Sequence, residues 1–168
     1  KPSERKVHQK VMPRLGGLAI FIAVTVGYFV AGLYEAKITG ISVGALIIIV
    51  LGIIDDKYEN SAKIKLLGQI LAACAVMGSG LTIEVLNIPF LGVFELGIFS
   101  YIVTLSWILA ITNAINLIDG LDGLSAGISS IVFASIAFLA FSADKMLILT
   151  LSLILLGSTL GFLFHNFH

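Results

Sequence analysis

The chain has 168 residues, of which 58% are hydrophobic and only 12% charged, with ten basic and ten acidic side chains and a mean hydropathy of +1.09. Soluble domains carry about 25% charged residues, so the composition excludes an ordinary water-soluble domain and reads as an integral membrane protein. A net charge of zero, with no basic patch interleaved with aromatics, excludes a nucleic-acid partner.

In chain order, residues 1–17, "KPSERKVHQKVMPRLGG", are polar and basic and read as a cytosolic segment rather than a cleavable leader. That start, and the stop at "GFLFHNFH", lead us to expect a fragment. Six apolar segments follow, at 18–34, 41–54, 66–81, 99–118, 124–141 and 146–164. Several are shorter than the ~20 residues of a perpendicular span, which flanking residues and helix packing can accommodate. None alternates apolar and polar residues as barrel strands do. The expected fold class is all-α: a polytopic membrane helical bundle of about six transmembrane helices, forming a single domain over 1–168. The loop "TIEVLNIPFLGVFELG", with Pro89 and Gly92 in its middle, is expected to form a short hairpin on the outer face. Cys74, the one cysteine, lies in an apolar run and reads as a packing residue.

Six spans with the first segment inside put Lys1, Arg5, Lys6, Lys10, Arg14, Lys57, Lys63 and Lys65 on the cytosolic side. Only Lys37 and Lys145 fall outside, a clear positive-inside bias. The same topology brings "DDKYENSAK" (within 55–65), "DGLDGLSAG" (within 119–125) and "HNFH" to the cytosolic face. The stretches 55–65 and 119–125 are therefore expected to be cytosolic active-site loops.

Asp55 and Asp56 end an out-to-in segment. Residues 40–54 offer ~22 Å of helix against a ~30 Å hydrocarbon core, so the two acids sit near the inner interface. They repel one another, and the C-terminal end of a helix dipole disfavours both. A cation held between them explains the pair better than capping, and a solvated loop start balanced by Lys57 is the alternative. In "NAINLIDGLDGLSAG", Asn113, Asn116, Asp119 and Asp122 recur every third residue. On a helix the first three share an arc of about 120°. Gly120 and Gly123 can break the helix and return Asp122 to the others. Asp122 alone could N-cap the fifth segment, and the asparagines could bridge helices by Asn–Asn hydrogen bonds. Two acidic pairs with amides beside a basic segment point to Mg²⁺ and phosphate. Lys10, Arg14 and the backbone of Gly16 and Gly17 would meet the remaining phosphate charge. His8, His165 and His168 have no dependable metal-ligand spacing; His165 and His168, three apart, could ligate or bind phosphate, but an interfacial histidine is more often plain polar trim.

"PRLGG", "GIIDDKYE", "NAINLIDGLDGLSAG" and "GFLFHNF" resemble, in order and over essentially the whole chain, motifs of the polyprenyl-phosphate N-acetylhexosamine-1-phosphate transferases. The wording is most similar to the bacterial undecaprenyl-phosphate N-acetylglucosaminyl branch that starts wall teichoic acid and other surface glycans. The muramoyl-pentapeptide branch is the alternative within the family. The resemblance implies a multi-pass enzyme of the cell membrane with a cytosolic active site. It would transfer N-acetylglucosamine 1-phosphate from UDP-GlcNAc to undecaprenyl phosphate and release UMP, with Mg²⁺ or Mn²⁺. Its implied partners are the UDP-sugar, undecaprenyl phosphate and membrane lipid, with a homodimer as a compatible assembly.

By the same resemblance, Asp55 and Asp56 are the catalytic candidates. Asn113, Asn116, Asp119, Asp122 and Lys10 are candidates for binding nucleotide and substrate, and Asp119 and Asp122 for the metal. The later metal-binding aspartate and histidine-rich loop of the family have no counterpart here, nor does a helix before the basic segment. A cation transporter is the rival from another class; it calls for acids spread through the membrane depth, whereas these cluster on one side.

Overall fold

The computed structural model describes residues 16–58, 61–119 and 123–166, without the side chains of Asp56, Lys57 and Asn166. The described residues form six α-helices and one hairpin: α1 (Gly16–Val30), α2 (Ala36–Tyr58), α3 (Ala62–Gly78), β1 (Val85–Ile88), β2 (Gly92–Glu95), α4 (Phe99–Ile118), α5 (Leu124–Ser142) and α6 (Met146–Asn166). The fold is an all-α, polytopic membrane bundle. Four stretches are long and apolar enough to cross a bilayer: Ala36–Asp55, Phe99–Ile118, Leu124–Ser142 and Met146–His165. Helix α1 is apolar but only 15 residues long. Helix α3 has 17 residues and carries Lys63 and Lys65 in its first turn.

The second segment is longer than its apolar run of 41–54. Helix α2 has 23 residues, about 34 Å at 1.5 Å per residue, enough for the whole hydrocarbon core. Nothing between Ala36 and Tyr58 breaks a helix, and Lys37 and Asp55 can reach the interfaces from its ends. Asp55 and Asp56 are therefore helical, and residues 62–65 already belong to α3. The expected 55–65 loop is thus mostly two helix ends facing each other.

Consecutive helices run antiparallel. The most extensive packing joins α5 to α6 and α2 to α3; α1 lies against α6 and more thinly against α2, α3 packs on α4, and α4 meets α5 only sparsely. Small residues make the seams. Gly40 and Gly44 of α2 are one turn apart and face α3 so closely that an added Cβ would overlap Ser79 at the first and stand 3.1 Å from the Ala72 carbonyl oxygen at the second. Glycine at both positions lets two backbones approach, which is how helices associate in lipid. The buried set is equally small: Ile38, Ala72, Ala73, Ala126, Ala137 and Ala140, with Ser100, Thr104, Ser130, Ser152 and Thr159. The buried hydroxyls of Thr104, Ser152 and Thr159 donate to carbonyls one turn back, so they need no water in an apolar medium. Ser130 reaches Thr159 of α6 at 3.0 Å.

Large apolar side chains point outward, among them Phe29, Trp107, Phe138 and Leu139. So many exposed large side chains on apolar helices suit a lipid surface or contact with further protein. Cys74 is exposed too, so it does not pack into the core of this chain as its apolar surroundings suggested.

The expected hairpin is present. Strands β1 and β2 pair antiparallel with Val85 opposite Glu95 and Ile88 opposite Gly92. The Leu91 N–H donates to the Ile88 carbonyl at 3.0 Å. Pro89 then takes the second and Phe90 the third position of the turn. Phe90 has φ +72°, a conformation that this turn normally assigns to glycine. The hairpin joins the C-terminal end of α3 to the N-terminal end of α4, so it stands at the end of the bundle opposite Asp55 and Asp119.

Candidate active site at one end of the bundle

Helices α2 and α4 end, and α3 and α5 begin, at the same end of the bundle. Asp55 lies in the last turn of α2. Its Oδ2 is 2.7 Å from Lys65 Nζ in the first turn of α3. Both charges sit where the helix dipole opposes them, an anion at a C-terminus and a cation at an N-terminus. The antiparallel packing resolves this by setting one against the other. The pair is open to solvent, with Lys65 48% and Asp55 27% exposed. Asp56 follows in the same turn, and its side chain lies outside the described residues.

Helix α4 carries the second cluster. Asp119 is its C-cap residue, with its N–H donating to the Ile115 carbonyl. Its Oδ1 accepts a 2.6 Å hydrogen bond from Ser125 Oγ in the first turn of α5. Asn116 lies one turn deeper and is exposed. Asn113, one turn deeper again, ties α4 to α3. Its Nδ2 donates to Gln69 Oε1 at 2.9 Å and to the Leu109 carbonyl at 2.8 Å, while its Oδ1 lies 3.3 Å from Gln69 Nε2. Bridging helices, the simpler of the two roles weighed for the asparagines, is thus realised at Asn113, with glutamine as its partner.

Helix rise places these groups at similar heights. Lys65 lies about 5 Å above the start of α3, Asp55 about 5 Å and Asn116 about 3 Å from the ends of α2 and α4. The turn after Asp119 includes Gly123, the N-cap of α5, at φ +74°. The cap is this glycine rather than Asp122. Asp122 and Lys10 both lie outside the described residues, as do Arg14, His8 and His168. His165 is described, and its Nδ1 stands 3.1 Å from the Gly161 carbonyl within α6, a local contact that does not join the cluster.

The described residues hold no group of three or more acidic, histidine or cysteine side chains spaced for a metal. Mg²⁺ does not require one, since one or two carboxylates and substrate phosphates complete its oxygen shell. Of the two residues named for the metal, Asp119 is described, and its carboxylate, at the negative end of a helix dipole beside the Ser125 hydroxyl, is a donor that suits a hard cation. Lys65 and Ser125 were not singled out from the sequence. The signal for Lys65 was the short gap between α2 and α3, which sets the first turn of one against the last turn of the other. The signal for Ser125 was a hydroxyl in the first turn after the glycine break.

Comparison with known proteins now decides the family. The model of glycosyl transferase family 4 matches residues 38–168. The chain belongs to that family. Among relatives of glycosyl transferase family 4, it is 57% identical over 170 residues to a probable undecaprenyl-phosphate N-acetylglucosaminyl 1-phosphate transferase of Bacillus subtilis (strain 168), covering 100% of this chain and 48% of the relative. A decaprenyl-phosphate N-acetylglucosaminephosphotransferase of Mycobacterium leprae (strain TN) is 36% identical, over 99% of this chain and 47% of that protein. A phospho-N-acetylmuramoyl-pentapeptide-transferase of Leuconostoc citreum (strain KM20) is more distant, at 34% over 92% of this chain and 53% of that protein. The chain spans about half the length of these curated relatives. No solved structure matches it.

Proposed function

We propose that the protein transfers N-acetylglucosamine 1-phosphate from UDP-GlcNAc to undecaprenyl phosphate at the cytosolic membrane face, as the first step of a cell-surface glycan such as teichoic acid. The observation that carries this reading is the gathering of Asp55–Lys65 and Asn116–Asp119–Ser125 at one end of an apolar bundle, in a family whose named relatives carry out such transfers. The positive-inside bias of the sequence, to which Lys63 and Lys65 at this end contribute, supports a cytosolic orientation.

Phosphoryl transfer is chiefly positioning and charge neutralisation. The lipid phosphate approaches from the bilayer and the nucleotide from water, so a site at the interface serves both. Asp55 and Asp56 orient the lipid phosphate and accept its proton. An oxygen of that phosphate bonds to the β-phosphorus of UDP-GlcNAc, and the bond from that phosphorus to the bridging oxygen breaks, releasing UMP. Lys65 and Lys10 offset phosphate charge. Asp119 and Asp122 would hold Mg²⁺, or Mn²⁺ in its place, and the ion would lower the charge on the diphosphate. Ser125 holds Asp119 by its 2.6 Å hydrogen bond in one orientation.

The test is UMP release by the protein at its full encoded length in nanodiscs. We expect release that needs undecaprenyl phosphate and divalent metal, stops with EDTA, and falls by about 10³-fold or more in Asp55→Asn and Asp119→Asn. A folded protein that releases no UMP from UDP-GlcNAc contradicts the proposal.

A further inference from the structure

Helix α3 does more than separate two motif-bearing helices. Lys65 and Gln69 stand four residues apart, so they share one face of α3. Lys65 contacts Asp55 of α2 at 2.7 Å, and Gln69 exchanges side-chain hydrogen bonds with Asn113 of α4 at 2.9 and 3.3 Å. The two rungs point to different neighbours. One face of α3 thereby sets the height of α2 and of α4 against a common ruler.

Depth explains why the second rung is an amide pair. Gln69 lies about 10 Å along α3 and Asn113 about 8 Å from the end of α4, inside the hydrocarbon region where a charge is costly and a satisfied amide is tolerated. Reciprocal bonding also fixes which way Asn113 points. Both of its N–H groups are used, one on Gln69 Oε1 and one on the Leu109 carbonyl. Toward a ligand it offers an acceptor lone pair and no donor. A phosphate, itself an acceptor, gains nothing from Asn113 in this state, whereas a ribose, uracil or sugar N–H or O–H can donate to it.

We propose that Gln69 is a positioning residue for the transfer reaction: by holding the Asn113 amide it sets the height of the α4 motif against Asp55 and turns an acceptor toward the donor substrate. The inference rests on the transferase reading above. Its test is steady-state UMP release by the protein at full encoded length in nanodiscs, comparing wild type, Gln69→Met, Asn113→Ala, the double variant Gln69→Met with Asn113→Ala, and the exchanged pair Gln69→Asn with Asn113→Gln. Thermal unfolding is followed alongside.

We expect Gln69→Met to lower kcat/KM for UDP-GlcNAc about tenfold, leave KM for the lipid within about twofold, and add nothing to the loss in Asn113→Ala. The exchanged pair keeps both amides and should recover activity about threefold or more over Asn113→Ala, short of wild type because the acceptor shifts by one methylene. Equal loss toward both substrates, losses that add in the double variant, or failure of the exchanged pair to recover while it unfolds at the wild-type temperature would each overturn the proposal. A wild-type protein with no UMP release would overturn the transferase reading instead, and the two failures are distinguishable.

Discussion

The Lys65–Asp55 pair is open to solvent and contributes little to stability. An exposed ion pair is worth about 0–1 kcal/mol, which for a domain of this size moves Tm by about 2–4 °C at most. If Lys65 offsets phosphate charge in the transfer, Lys65→Met should lower UMP release by about 100-fold or more while Tm stays within that range. A large loss of Tm with normal turnover in the folded fraction would make the pair structural. Ser125→Ala removes one hydrogen bond to a charged acceptor, worth about 1.5–3 kcal/mol where desolvated and less here. We expect kcat to fall about three- to tenfold, with the metal concentration for half-maximal rate raised, and a wild-type metal titration would contradict this. Asp55, Asp119 and the asparagines drew notice in the sequence because acids and amides beside apolar runs are uncommon, although Asn113 turns out to bridge helices. Lys65 and Ser125 did not, because a lysine or serine at a helix start is common and only the packing shows what it touches.

At the scale of elements, seams of small residues decide which helices meet. Gly44 of α2 would place a Cβ 3.1 Å from the Ala72 carbonyl oxygen and 3.0 Å from Val76 Cγ2. The backbone cannot move aside as a side-chain tip can. Gly44→Leu must push α3 away, carrying Lys65 and Gln69 with it, at a cost of about 1–3 kcal/mol or more. The measurement is thermal unfolding in one detergent, where a wild-type Tm would contradict the packing. Thr159→Val, which removes the hydroxyl that Ser130 reaches from α5, should cost only about 0.6–1.7 kcal/mol, the range of hydrogen bonds between membrane helices. Apolar runs revealed that these elements exist and that they are helices. They misplaced the ends of α2, because polar residues such as Lys37 and Asp55 stay helical at an interface, where their side chains reach water while the backbone remains in the ladder. The hairpin was legible from Pro89 and Gly92, but the left-handed conformation at Phe90 was not, since nothing about phenylalanine favours it.

For the whole molecule, antiparallel packing separates the acidic and amide cluster from the β1–β2 hairpin at opposite ends of the bundle. If the cluster end is cytosolic, a cysteine placed at Phe90 in a protein lacking Cys74 should react with a membrane-impermeant thiol reagent in intact cells. One placed at Lys63 should react only after permeabilisation. The reverse pattern would invert the orientation. The counting of lysines and arginines is what argues for that orientation, whereas which large apolar side chains point outward became apparent only from the folded shape. The most direct test of the account is UMP release from UDP-GlcNAc by the full-length encoded protein in nanodiscs, with and without undecaprenyl phosphate, divalent metal, and the Asp55→Asn and Asp119→Asn substitutions. The account predicts UMP only when lipid and metal are both present, and near-complete loss in either variant. Turnover that persists in both variants, or a folded wild type with no turnover at all, would contradict it.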